Sequence, residues 1–186
     1  VSAYDASAAL SAVEATMRRQ GVRVLLKSSA WHQRAIDALL RVLSFGRAST
    51  YASRYVTTIG RRIYVPDDWA SRPAWQRADI LRHELVHVRQ FERYGFVPMT
   101  LAYLLFPLPI GLAWCRAALE KEAYAESLRA AFERGGIEAA RAMKPDLVQR
   151  FVGPDYLYMW PFPRSIESWV DRVVASLSAT AVDHVD

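Results

Sequence analysis

The sequence predicts an α+β fold, mostly helical, with one small antiparallel sheet. Three observations predict it. Apolar residues recur at three- and four-residue spacing through much of the chain, the period of a helix with one buried face. The β-rich runs are few and short, and two of them flank Gly60-Arg61 as a hairpin would. The composition is 52% apolar and 12% aromatic, enough for a packed core and against a disordered chain. At 186 residues, a single domain covering 1–186 is the expectation.

The first helix is expected over 5–20, where Ala8, Leu10, Val13 and Met17 share a face and Gly21 follows as a stop. Val22-Arg23-Val24-Leu25-Leu26 reads as a short strand. His32 to Leu43 returns to helical spacing through Ile36, Leu39, Leu40 and Leu43. Tyr55–Ile59 and Arg62–Val65 form the hairpin, closed by Pro66. Ser71 is the expected N-cap of the next helix, with Pro73 in its first turn, and Gly95 terminates that helix after Tyr94.

Phe96 to Cys115 holds no charged residue. Its length suits a membrane span, but Pro98, Pro107 and Pro109 interrupt it. The expectation for 96–119 is an apolar helical hairpin folded at Pro107-Leu108-Pro109, serving as core or lid, with contact to a membrane interface as the alternative. A helix from Leu119 to Glu133 then stops at Gly135-Gly136. Short helices follow over Ile137–Met143 and Leu147–Val152. Ser165 caps a last helix to Leu177, and 178–186 reads as a frayed tail.

Charge and cysteine narrow the function classes. The net charge is +5, and residues 1–62 carry ten Arg/Lys against three Asp/Glu. These arginines are not interleaved with aromatics, so no nucleic-acid partner is expected. Cys115 is the single cysteine, which excludes an internal disulfide framework and a cysteine-based zinc cluster. No secretory signal peptide is expected from the opening residues, and the sequence starts with Val rather than Met, which leaves room for a leader that has been removed. Its compartment therefore stays open, soluble or peripheral to a membrane.

The chemistry concentrates at His83-Glu84-Leu85-Val86-His87. Residues four apart stack on one helix face, so two imidazoles can reach one metal ion, with the carboxylate of Glu84 beside its open side. The chain has four His, and two of them fall in this spacing around a Glu. Ile80, Leu81, Leu85, Val86 and Val88 bury the helix around this polar group. Two imidazoles and a nearby base are what zinc-assisted hydrolysis requires, but a catalytic zinc usually has a third protein ligand.

Gln90 and Arg93 stand where a metzincin would carry Gly and a third His, which excludes that class. The His83-Glu84-x-x-His87 motif, with Glu122-Ala123-Tyr124-Ala125-Glu126 downstream, resembles the gluzincin group of zincin metallopeptidases. The resemblance covers about 70–130 and implies a zincin-like domain with Zn2+ as cofactor. It implies Glu122 as the third ligand and Glu126 as the partner that orients His83. Glu126 stands where Asp is usual, and Lys121 where Asn is often found. Glu120 is the rival ligand, facing elsewhere on the helix.

The function so implied is hydrolysis of peptide bonds in a peptide or protein substrate. A zinc-activated water attacks, and Glu84 serves as general base. Either hairpin strand is a candidate to receive the substrate by strand addition. Tyr156, Tyr158 and His184 are the candidate oxyanion donors by residue type. The alternative is a non-catalytic scaffold of the same kind that binds a protein partner or a membrane surface.

Overall fold

The computed structural model describes residues 4–29, 56–104, 113–153 and 159–182. Among these, six helices and three short strands appear. The chain forms two compact units, Ala6–Phe91 in one and Glu92–Asp186 with Val1–Asp5 in the other.

In the Ala6–Phe91 unit, α1 spans Ala6–Arg19 and buries Leu10, Val13 and Met17, the three- and four-residue spacing read from the sequence. Gly21 follows at φ +66°, a left-handed turn that suits glycine. Strands β1 (Arg23–Leu26), β2 (Thr57–Ile59) and β3 (Arg62–Val65) form one sheet in the order β1-β3-β2. β2 and β3 are the expected hairpin, with Thr58 opposite Ile63. β1 pairs with β3 in parallel, so the sheet is mixed rather than antiparallel throughout. The long connection from Leu26 to Arg62 permits this, since a parallel pair needs a dozen or more residues between its strands.

Helix α2 spans Ala74–Tyr94 and ends at Gly95, whose φ of +84° marks the left-handed cap. Ser71 is not its N-cap. Ser71 sits in a 3-10 turn over Asp67–Ser71 and donates its hydroxyl to the carbonyl of Asp68 at 2.7 Å. One face of α2 presents Ala78, Leu81, Leu85 and Val88 to a core shared with α1, Ile63, Val65 and Trp69. By helical rotation, His83, His87 and Gln90 lie on the opposite face.

In the second unit, α3 is Phe96–Leu104 and α4 is Trp114–Ala142. The turn expected at 107–109 and the helix expected over 32–43 lie outside the described residues. Helix α4 begins before Leu119, and it breaks where expected, at Gly135 and Gly136, whose backbone angles are not helical. Helix α5 is Lys144–Val152 with Pro145 in its first turn, and α6 is Pro163–Val182. Helix α6 therefore continues past Ser178, where fraying was expected, and Ser178 donates its hydroxyl to the carbonyl of Val174 at 3.1 Å. The core here joins Ala117, Tyr124 and Leu128 of α4 to Leu147 and Phe151 of α5 and to Ile166, Val170 and Val174 of α6. Phe151 packs between Tyr124 and Trp169, with ring centroids 5.8 and 6.0 Å away. Among the described residues, no helix is long and apolar enough to cross a membrane.

Candidate metal centre

The helix that carries His83, Glu84 and His87 is uninterrupted from Ala74 to Tyr94, so the motif sits in its middle. That placement holds the Cα positions rigidly, which a coordination site needs. The two imidazole rings have centroids 5.0 Å apart at an interplanar angle of 74°. His87 and Glu84 are buried, at 6% and 7% exposure.

His87 is also oriented. Its Nδ1–H donates to Oε1 of Gln90 at 2.9 Å, and Gln90 is itself buried. An amide oxygen accepts but does not donate, so the bond places the ring proton on Nδ1. The neutral ring then keeps the Nε2 lone pair for a cation. In the sequence Gln90 stands out only as the residue in place of a metzincin glycine. Its position three residues after His87, on the same helix face, was the available signal.

Glu84 has a partner from the sheet. Thr58 Oγ1–H donates to Glu84 Oε2 at 2.6 Å, a length typical of a hydroxyl bonded to a charged carboxylate. Thr58 lies 26 residues earlier, and nothing in its local sequence marked it.

The third donor is Glu120. His83, His87 and Glu120 each offer one ligand atom, and these atoms all lie within 4.8 Å of one another. Glu122, the ligand implied by resemblance, is exposed, whereas Glu120 is buried at 1% exposure. The reason is helical phase. The buried stripe of α4 runs through Ala117, Glu120, Tyr124, Leu128 and Ala131, at spacings of three and four. Glu122 falls about 200° from Glu120 around the axis. Glu126 is half-buried and ion-paired with Arg129 at 3.7 Å. Glu120 lies two positions before Glu122, so Glu126 follows this donor by six residues rather than four. Lys121 lies over the ring of Trp160, 5.5 Å from its centroid, and burial and then Arg172 hold its pKa below the usual lysine value. Tyr156, Tyr158 and His184 lie outside the described residues.

Two imidazole nitrogens and one carboxylate are the donor set of a zinc site with three protein ligands. Ligand atoms around a tetrahedral zinc sit about 3.4 Å apart, and the three donors here lie within 4.8 Å of one another. The cluster of His83-Glu84-x-x-His87 with a buried downstream Glu matches a gluzincin-type metal site, on a mostly helical α+β scaffold. It is positioned for metal-activated hydrolysis. No protein-family model, no curated protein and no solved structure matches this chain.

Proposed function

We propose that this protein is a zinc-dependent peptidase in which His83, His87 and Glu120 hold the ion and Glu84 is the general base. The observation that carries the reading is the convergence of those three donors beside a helix position occupied by a buried carboxylate. Zinc, when bound, supplies Lewis acidity that polarises a carbonyl and makes water acidic near neutral pH.

The protein's own groups do the rest. Gln90 holds the His87 ring so that Nε2 faces outward from its own hydrogen bond. The Glu84 carboxylate takes the proton of the attacking water and returns it to the leaving amine. Of the two hairpin strands, β2 lies at an edge of the described sheet, and it is the strand we assign to receive an extended substrate.

Glu84→Gln tests the reading. The variant is expected to bind zinc with the stoichiometry of the wild type and to cleave fluorescein-labelled casein at least about 100-fold more slowly, the lower range for a general base. A chelator is expected to stop wild-type cleavage and added zinc to restore it. Turnover retained in Glu84→Gln refutes the assignment. The scaffold reading has one observation on its side: α3 exposes Phe96, Val97 and Leu101. Zinc bound by the wild type with no cleavage would favour it.

A further inference from the structure

The bond between Thr58 and Glu84 has no counterpart in the motif. Its two members come from different elements, the middle of β2 and the middle of α2. Thr58 is opposite Ile63 in the antiparallel ladder, and directly opposed residues share one face of a sheet. Ile63 is fully buried in the core that α2 covers, so Thr58 projects on the α2 side of the sheet. Thr57 and Ile59 alternate to the other side.

The chemistry of this contact is specific. A helix fixes the Cα–Cβ direction of a glutamate but leaves three side-chain torsions free, and a base must spend its time in one arrangement to act. Threonine is β-branched and stiff at χ1, so its hydroxyl is a fixed point rather than a mobile one. The 2.6 Å bond uses one lone pair of Oε2 and sets the plane of the carboxylate.

From this geometry we propose that Thr58 is a positioning residue for the general base: the hydroxyl of the edge strand holds the Glu84 carboxylate in its working rotamer. The proposal rests on Glu84 acting as a base. It adds that the strand assigned to substrate and the base move as one piece. A change in β2 is therefore transmitted to the base without touching the metal ligands.

The test uses Thr58→Val, which keeps the branched shape and removes the hydroxyl, and Thr58→Ser, which restores it. With zinc and labelled casein, Thr58→Val is expected to lower kcat roughly 10- to 100-fold, the worth of a hydrogen bond to a charged group. KM is expected to stay within about twofold and zinc affinity to be unchanged, because strand addition uses the backbone of β2, which the substitution keeps, and no ligand is altered. Thr58→Ser is expected to recover most of kcat. A general loss of packing would not produce that pattern, since Ser is smaller than Val. An unchanged kcat in Thr58→Val, or no recovery in Thr58→Ser, overturns the proposal. A second readout needs no turnover: a double-mutant cycle of Thr58→Val and Glu84→Ala in urea denaturation of the zinc-free protein. Additive effects there overturn the contact itself. A wild type that cleaves nothing while the cycle shows coupling overturns the peptidase reading and leaves the contact standing.

Discussion

Replacing Glu120 by Gln separates the carboxylate that the fold brings to the histidines from the one that a motif comparison would choose. Gln is close to Glu in volume, so the variant keeps the packing of a side chain that is 1% exposed. Only the negative charge and one acceptor oxygen are lost. Removing a group that merely orients a zinc ligand costs about 10- to 100-fold in affinity. Loss of the ligand itself is expected to weaken zinc binding at least about 100-fold, or about 2.7 kcal/mol. Competition against a chromophoric chelator measures it directly. Melting gives an independent reading. At zinc concentrations about 100 times the wild-type Kd, binding stabilises the folded protein by about 2.7 kcal/mol, and the variant should lose nearly all of that. Glu122→Gln is the control, with an expected change within about 0.5 kcal/mol because that side chain is exposed. Wild-type zinc affinity in Glu120→Gln, or the larger loss in Glu122→Gln, would refute the ligand assignment.

Two further perturbations follow from contacts around the same helix. Gln90→Leu removes the acceptor of the His87 Nδ1–H, and zinc affinity by the same competition assay should fall about 10- to 100-fold, with Gln90→Glu keeping most of it. Gly95→Ala places a Cβ on a residue at φ +84°; because the nearest atom, Pro98 Cδ, would lie 3.7 Å away, the cost is backbone strain alone. Urea denaturation should show a loss of about 1 kcal/mol, and an unchanged midpoint would mean that the left-handed cap is not formed.

Much of the fold was legible because its signals are local. Leu10, Val13 and Met17 mark the buried face of α1, and Gly21, Gly95 and Gly136 stand at positive φ where a stop or break was expected. The β2–β3 hairpin follows from its two-residue connection. Pairings between distant segments were not legible. β1 joins β3 in parallel across a long connection, and no residue in Arg23–Leu26 declares which neighbour it takes. Ser71 looked like a cap by type, yet its hydroxyl finds the carbonyl of Asp68 within its own turn before α2 begins. Short polar side chains offer the backbone several such bonds, and residue type alone does not choose among them.

The site divides along the same line. His83, Glu84 and His87 were legible because one helix carries all three at a fixed spacing. The third donor required the phase of a second helix, and that phase was present in the sequence. Ala117, Tyr124, Leu128 and Ala131 form an apolar stripe at spacings of seven, four and three, and position 120 falls on it, three after Ala117 and four before Tyr124. A carboxylate at a core position must be neutralised, hydrogen-bonded or bound to a cation, whereas one on the polar face needs nothing. Glu120 is therefore the residue whose burial demands an explanation, and Glu122 is not. The resemblance points to Glu122 because Ala125 and Glu126 follow it in the order of the motif, whereas the buried face of the helix carries Glu120. Thr58 and Gln90 follow the same logic at one remove. Each becomes visible only once a buried titratable side chain is known and its partner is sought.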